Sequence, residues 1–239
     1  MNIAIIFAGG TGQRMNTKTK PKQFLELHGK PIIIYTLEHF GQHELINGII
    51  VVCLETWIGY CRELIDKFHI RKVKEIIPGG ETGMLSRYKG VKKAAELYPE
   101  DTVCLMHDGV RPLINHEIIS KNIETVEKYG SAVTVAPAIE TVAIKGFDNK
   151  VEEIIDRSKC QMAKAPQSFR LGDLLKEHQY AIGAGMKDCI DTACLMQMSG
   201  HEIYTVEGSA ENIKITTPMD FYTFRALMDI RENSQIFGV

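Results

Sequence analysis

Short apolar runs alternate along the chain with longer segments in which apolar residues recur at helical spacing. The runs are nearly unbroken, which is typical of strands buried on both faces of a sheet. They lie at 2–7, 48–53, 73–77, 102–106 and 132–135. The segments with helical spacing lie at 31–40, 55–68, 82–98 and 118–129. This alternation predicts an α/β fold, with a mostly parallel sheet and helices on both of its faces.

Residues 139–161 depart from this pattern. Two β-like runs, 141–145 and 151–155, flank a turn rich in Asn, Asp and Gly, which predicts a β-hairpin. A hairpin that protrudes from such a sheet has little of its own to pack on. We therefore expect an arm that docks on a second subunit of a homodimer. The alternative is a hairpin that lies back on its own domain.

The bulk composition narrows the possible classes of protein. The chain has 239 residues, of which 44% are hydrophobic, enough for one domain spanning 1–239 with 139–161 as its arm. A net charge of −2 implies no nucleic-acid surface. The six cysteines form no Cys-x-x-Cys pair, which favours reduced thiols in a cytoplasmic protein. We expect no signal peptide and no membrane-spanning segment.

The first apolar run leads into a glycine-rich turn. Its residues Ala8, Gly9, Gly10, Thr11 and Gly12 are followed by two cations, which are Arg14 and Lys22. Backbone N–H groups in such a turn form a nest that holds phosphate oxygens, and glycines allow a close approach. The alternative is an ordinary tight turn with solvated cations. The order of the glycines argues against both a dinucleotide fingerprint and a Walker loop.

Asp108 follows a buried run, at the end of a strand where open α/β sheets place ligand groups. A carboxylate that faces a triphosphate is useful when a divalent metal lies between them, so Asp108 is a candidate Mg²⁺ ligand. The alternatives are a helix cap or an ion pair with Arg111. The neighbouring His107 is predicted to be a packed histidine and not a base.

Lys214 lies within a β-like run at 210–217, before a helix that begins near Pro218. We expect its side chain to point away from Ile213 and Ile215. A lysine directed inward from a strand end is unusual unless it meets an anion. The alternative is a solvated lysine on an edge strand.

Four separated motifs occur together in this order along the chain. They are 8–15 with Pro21-Lys22-Gln23, then 107–112, Pro166-Gln167-Ser168-Phe169, and 212–218. In this combination the chain resembles the polyol-phosphate cytidylyltransferases, the family that includes 2-C-methyl-D-erythritol 4-phosphate cytidylyltransferase and ribitol-5-phosphate cytidylyltransferase. The resemblance implies a Rossmann-like domain, a β-arm exchanged across a homodimer, Mg²⁺ as cofactor, and CTP and a polyol phosphate as substrates.

The resemblance also implies roles for individual residues. The residues implied to be catalytic are Arg14, Lys22 and Lys214, and Lys214 would also bind the acceptor. Those implied to bind the nucleotide are Ala8, Gly9, Gly10, Thr11, Gly12, Gly80, Glu81 and Ser86. Those implied to bind the acceptor are Asp108, Arg111, Thr141 and Arg157, with Asp108 also holding Mg²⁺. Thr141 and Arg157 would reach from the arm into the neighbouring subunit's site.

The chain departs from the family pattern at three places. Gly83 stands where the family usually has an arginine, although Arg87 is close by; Ala165 replaces the usual threonine; and 188–194 is only partly similar. The acceptor therefore stays open between ribitol 5-phosphate, another alditol phosphate and methylerythritol phosphate. Two other functions also stay open: a non-catalytic CTP-binding homologue and, against the glycine order, an NAD-dependent oxidoreductase.

Overall fold

The structure is a computed structural model that describes residues 1–10, 20–186 and 188–237, with side chains through 233. The strands are β1 (Asn2–Ala8), β2 (Glu26–Leu27), β3 (Lys30–Pro31), β4 (Gly48–Cys53), β5 (Val73–Pro78), β6 (Val103–Asp108), β7 (Ser131–Pro137), β8 (Val142–Lys145), β9 (Val151–Ile155), β10 (Gln161–Arg170) and β11 (Thr205–Glu207). The α-helices are α1 (Ile32–Gln42), α2 (Ile58–Lys67), α3 (Gly83–Leu97), α4 (His116–Tyr129), α5 (Leu171–Gly183), α6 (Thr192–Met198) and α7 (Pro218–Phe237). Short 3-10 helices lie at Lys22–Phe24, Glu55–Trp57, Phe147–Asn149 and Arg157–Lys159.

Seven of the described strands form one twisted sheet in the order β11-β7-β10-β6-β1-β4-β5. All neighbouring pairs are parallel except the two that involve β10, which runs antiparallel to both β6 and β7. In the centre of the sheet Ile5 lies opposite Ile50 on one side and Met106 on the other. The predicted α/β fold with a mostly parallel sheet is therefore confirmed.

Successive residues of β1 pack against opposite layers of helices. Ala4 and Ile6 belong to the core shared with α1, α2 and α4, whereas Ile3 and Ile5 belong to the core shared with α3, α5 and α6. A strand covered on both faces must be apolar at every position, which explains the unbroken runs in the sequence. None of the described helices is long and apolar enough to cross a membrane.

The predicted hairpin also forms. Strands β8 and β9 pair antiparallel in a two-stranded sheet of their own, and apolar side chains on and beside them face solvent. Phe147 at the turn is 94% exposed, and Ile154 is 66% exposed. Since a hairpin packed on its own domain would bury such residues, the structure shows a protruding arm.

Two features of the chain differ from the sequence-based expectations. Residues 210–217 lie outside the sheet, so the strand expected around Lys214 is wrong. Ile215 is buried because it packs with Val110 and Phe224 beneath α7, and its N–H donates to the Val110 carbonyl at 2.9 Å. The alternating apolar residues of this segment are therefore explained by packing beneath α7 and not by a β-strand. Strand β10, which contains Pro166, lies inside the sheet between β6 and β7, and the sequence pattern does not predict it.

Helix α3 approaches the sheet closely through Gly90. A Cβ placed on this residue would lie 2.7 Å from Ile5 Cγ2 and 3.0 Å from Val52 Cγ2. Gly59 in α2 offers a matched control, because a Cβ there would meet nothing within 4 Å. Alanine has the higher helix propensity at both positions, by up to about 1 kcal/mol, and Gly90 in the interior of α3 gains at least as much as Gly59 in the first turn of α2.

We expect Gly90→Ala to be less stable than Gly59→Ala by about 1–3 kcal/mol, the usual cost of overpacking a core. Urea unfolding of both variants and of the wild type measures the difference in the free energy of unfolding. Equal stability of the two variants would show that the helix can move away from the sheet without cost.

Candidate active site

The carboxyl ends of the parallel strands meet at one edge of the sheet. Phe7 on β1 lies opposite Asp108 on β6, and Ala8 lies opposite Cys53 at the end of β4. Loops that leave these ends surround a cleft of about 630 Å³. Among the residues that line it are Ala8, Gly9, Gly10, Lys22, Gly80, Glu81, Gly83, Ser86, Arg87, Asp108, Arg111, Lys164, Gln167, Asp191 and Lys214. Most residues that the sequence analysis singled out are therefore brought together.

The glycine turn is anchored from below by Gln23. Its buried amide donates to the Ala8 carbonyl at 2.6 Å, which fixes the start of the turn relative to the 3-10 helix that carries Lys22. Lys22 Nζ donates to the Ile215 carbonyl at 2.9 Å, and a Cβ on Gly10 would lie 3.6 Å from Lys22 Cε. Lys22 thus lies beside the turn. Thr11, Gly12 and Arg14 fall outside the described residues.

The opposite wall of the cleft is the start of α3. Ser86 Oγ accepts a hydrogen bond from the Gly80 N–H at 2.9 Å, which folds the loop after β5 against the helix. A Cβ on Gly80 would lie 2.5 Å from Leu85 Cβ, so this position requires glycine. Glu81 is exposed at the rim, and Thr82 caps the helix by accepting from the Leu85 N–H at 3.2 Å. Gly80, Glu81 and Ser86 therefore lie together, as the resemblance implied.

Arg87 fills the space beside Gly83. A Cβ on Gly83 would lie 3.3 Å from Arg87 Nη1, because residues four apart share one face of a helix. Arg87 Nη2 donates to the Cys189 carbonyl at 2.5 Å, and its buried Nε has no hydrogen-bond partner in the part of the chain that the structure describes. Burial lowers the pKa of Arg87, although nearby acidic groups oppose this effect. The glycine at 83 thus leaves room for a cation supplied one turn later.

Asp108 is held by two cations. Its Oδ1 accepts from Lys214 Nζ at 2.7 Å, and its Oδ2 accepts from Arg111 Nε at 2.9 Å. Burial alone raises the pKa of Asp108, but the charges of Lys214 and Arg111 and their hydrogen bonds outweigh it and hold the pKa well below its usual value. The ion pair with Arg111, which was one alternative for Asp108, is present. Lys214 meets an anion, although it does so from a loop.

Several residues of the cleft carried no predicted role. Gln167 accepts from the Ala193 N–H at 2.9 Å and donates to Asp191 Oδ2 at 2.8 Å, so it fixes the segment that borders the cleft before α6. Asp191 in turn caps that helix at the Cys194 N–H. In the sequence, Gln167 is indicated only by its place in one of the four motifs. Lys164 is not indicated at all, because a single lysine before Ala165 and Pro166 is typical of a solvated side chain.

Thr141 and Arg157 lie on the arm and not among the residues that line this cleft. Both are exposed, and Arg157 Nη1 donates to the Ile139 carbonyl at 2.9 Å. Within one chain these two residues therefore do not lie in the cleft with the other predicted site residues. Their predicted role depends on a second subunit.

His107 is buried at the end of β6, with its ring packed 5.0 Å from that of Phe40. Burial lowers the pKa of His107 to about 3, so the imidazole is neutral at physiological pH. Its Nε2 lies 3.4 Å from the Arg111 carbonyl. This environment is that of a packed histidine, as predicted.

A model of the 2-C-methyl-D-erythritol 4-phosphate cytidylyltransferase family matches residues 2–229. The chain belongs to this family. It is therefore a cytidylyltransferase, a nucleotidyltransferase that transfers CMP from CTP to a polyol phosphate. The alternative of an NAD-dependent oxidoreductase is therefore excluded.

Relatives of this cytidylyltransferase carry two names. Ribitol-5-phosphate cytidylyltransferases from Streptococcus agalactiae serotype V and Vibrio parahaemolyticus serotype O3:K6 are each 52% identical over the full length of both chains. A 2-C-methyl-D-erythritol 4-phosphate cytidylyltransferase from Clostridium acetobutylicum is 39% identical, covering 95% of this chain and 97% of its own.

The fold is shared with solved structures. The crystal structure of 4-diphosphocytidyl-2C-methyl-D-erythritol synthase from Anaerococcus prevotii superposes with a TM-score of 0.83 at 26% identity, over 95% of this chain and 96% of that chain. The corresponding enzyme from Francisella tularensis superposes with a TM-score of 0.76 at 27% identity, over 94% and 99%.

A second buried histidine, His178 on α5, lies beside Tyr88 of α3, with the two ring centroids 6.3 Å apart. It is fully buried, and neither ring nitrogen has a hydrogen-bond partner among the described residues. Burial, followed by the charge of Arg87, lowers the pKa of His178 to about 4. In the unfolded chain His178 therefore binds a proton below about pH 6.5, whereas in the folded protein it binds one only below about pH 4.

We expect the stability of the wild type to fall as the pH is lowered from 6.5 to 4, with His178 contributing about 1.4 kcal/mol per pH unit. His178→Phe removes this contribution and should make the pH dependence less steep by that amount, without loss of stability at pH 7; the remaining slope comes from other buried histidines such as His107. The free energy of unfolding, measured in urea across this range, tests the prediction. Exposed His69→Asn is the control, and equal slopes for wild type and His178→Phe would contradict it.

Proposed function

We propose that this cytidylyltransferase uses D-ribitol 5-phosphate as its acceptor and forms CDP-ribitol and pyrophosphate. The observation that carries the proposal is full-length identity of 52% to proteins named ribitol-5-phosphate cytidylyltransferase, against 39% to one named for methylerythritol phosphate. Such a difference over whole chains favours the pentitol. Methylerythritol phosphate is the second candidate, because the family model carries that name. A related alditol phosphate is a further alternative.

In the proposed reaction an oxygen of the acceptor phosphate attacks the α-phosphorus of CTP, and pyrophosphate leaves from the opposite side. A phosphate nucleophile is already ionised, so no general base is needed, which agrees with a buried, neutral His107. The protein contributes position and positive charge. The glycine turn and Lys22 bind the triphosphate, with Arg14 as a second cation, and Gly80, Glu81 and Ser86 surround the base.

Mg²⁺ is the proposed cofactor, with Asp108 as its protein ligand. The residues fit this role: the two neighbouring cations keep the carboxylate ionised despite its burial, and each oxygen, although hydrogen-bonded once, retains a second lone pair. Magnesium binds commonly through one or two carboxylates and the phosphates of its substrate. When bound, it would neutralise charge on the triphosphate. Arg111 and Lys214 meanwhile orient Asp108 and present their remaining N–H donors to the acceptor.

We further propose that the enzyme is a homodimer, with the arm of each chain completing the site of the other. Exposed apolar side chains on and beside the hairpin, such as Phe147 and Val151, support this proposal because a second subunit would cover them. Arg157 and Thr141 lie at the base of the same arm. A cytoplasmic location is proposed from six cysteines that are all free thiols, as is usual in a reducing compartment.

The acceptor is tested by pyrophosphate release from CTP and Mg²⁺ with ribitol 5-phosphate, methylerythritol phosphate and other alditol phosphates in parallel. We expect kcat/KM to be highest for ribitol 5-phosphate. Higher activity with methylerythritol phosphate would establish the second candidate. CTP binding without turnover for any acceptor would instead indicate a non-catalytic homologue.

In the same assay Lys22→Ala should reduce kcat by about 100-fold or more, because it removes a cation from the transition state. Lys20→Ala is the matched control, since Lys20 is not among the residues that line the cleft and its contacts are a half-exposed ion pair with Glu26 at 3.1 Å and a hydrogen bond to Tyr60 Oη at 3.4 Å. Circular dichroism checks that both variants are folded. Near-normal activity of Lys22→Ala would contradict the assigned site.

Arg157→Ala should raise the KM for the acceptor by about 10-fold or more, as expected for a lost charge-assisted contact, and leave the KM for CTP nearly unchanged. Exposed Lys150→Ala, at the tip of the same arm, is the control. An unchanged acceptor KM, or a monomer in sedimentation analysis of the wild type, would refute a shared site.

A further inference from the structure

Lys164 is a cation of the cleft to which neither the motifs nor the resemblance gives a role. It lies on β10 where the pairing with β7 shifts register between Ala163 and Gln167. Its side chain is only half-exposed and lines the same cleft as Asp108, Arg111 and Lys214. Lysine is seldom buried without an anionic partner, so this placement needs an explanation.

Lys164 and Arg111 donate to the same backbone oxygen. Lys164 Nζ lies 3.3 Å from the Asn212 carbonyl and 2.9 Å from the Ala210 carbonyl, while Arg111 Nη1 lies 2.9 Å from the Asn212 carbonyl. Two cations that meet at one neutral oxygen repel each other. Accordingly, burial and then the charge of Arg111 lower the pKa of Lys164.

The charges in this part of the cleft do not balance. Asp108 is shared by Arg111 and Lys214, and among the described residues Lys164 forms no ion pair of its own. The cluster of Lys164, Arg111, Lys214 and Asp108 thus holds more positive than negative charge in a partly desolvated place. A phosphate monoester carries about 1.5 to 2 negative charges at neutral pH, which is an appropriate counter-charge.

We propose that Lys164 binds the phosphate group of the acceptor together with Arg111. This deepens the proposed function and rests on it, because it assigns the Asp108 end of the cleft to the acceptor. The triphosphate is a poorer occupant of this position, since the glycine turn with Lys22 is the part of the cleft suited to it. Lys164 thereby adds a positive charge from within the chain to the site of the acceptor phosphate.

The test is steady-state kinetics of Lys164→Met, which keeps the length of the side chain and removes its charge. We expect the KM for ribitol 5-phosphate to rise about 10- to 100-fold, as for the loss of one hydrogen bond between charged groups. The KM for CTP should stay within about twofold, a change too small to reflect a lost ionic contact. Lys164→Arg should restore most of the acceptor affinity. Exposed Lys92→Met on α3 is the control for the loss of a lysine.

A purely structural role predicts a different result. If Lys164 only ties 210–212 to β10, Lys164→Met should alter both KM values and lower the melting temperature, and Lys164→Arg should not rescue the acceptor KM. That pattern would overturn the proposal.

Calorimetric titration of inorganic phosphate separates this proposal from the choice of acceptor. The titration is performed with CTP whose α,β-bridging oxygen is replaced by methylene, so that the nucleotide occupies its own site. We expect the wild type to bind phosphate at least about 10-fold more tightly than Lys164→Met, the ratio expected for one charged contact. Equal affinities, or no binding, would refute the role of Lys164. If no alditol phosphate is turned over, the proposed function fails, yet this titration still decides on Lys164.

Discussion

The cleft depends on the ion pairs that Asp108 forms at the end of β6. A carboxylate in this partly buried position is unfavourable unless it is paired, and its two oxygens accept from Arg111 and Lys214. Lys214 belongs to a stretch without secondary structure, so this contact fixes a loop to the central sheet. The same loop offers the Asn212 carbonyl to Arg111 and Lys164. One carboxylate thereby pairs with two cations and fixes the loop whose backbone carbonyls accept from a third.

Glycines shape the cleft by what they leave out. At Gly80 no side chain fits against Leu85, so the loop after β5 can turn onto the start of α3 and bond to Ser86. At Gly83 the missing side chain leaves space for the guanidinium of Arg87, which lies beside Gly83 on the same face of α3. With Gly83 in place of the family's usual arginine, the cation at this wall of the cleft is therefore supplied by Arg87. The positive charge at this wall of the cleft is kept.

Membership in the cytidylyltransferase family agrees with the physical character of the cleft. Phosphoryl transfer between two phosphates needs alignment and neutralised charge and does not need a base. Accordingly, lysine and arginine side chains line the cleft, and His107, which also borders it, is buried and neutral. Selection of the acceptor must then arise from the number and position of the cations and from the shape around them. Lys164 and Arg87 are therefore informative positions, because neither belongs to the motifs shared with the family.

The sequence by itself determined five strands of the sheet (β1, β4, β5, β6 and β7), the helices between them and the arm, but not β10 or β11. Unbroken apolar runs can be buried only between two layers, and an Asn- and Gly-rich turn between β-like runs favours a hairpin, so local pattern and burial lead to the same structure. It also predicted that the glycine turn with Lys22 and the carboxylate of Asp108 follow the ends of buried strands, and the resemblance to the family added Gly80 and Ser86 to the same site. Only the tertiary structure decided the partners of Lys214 and the places of Lys164 and Arg87. These depend on contacts such as Lys214 with Asp108, 106 residues apart in the chain, and on a glycine whose effect is seen only in the neighbour that fills its space.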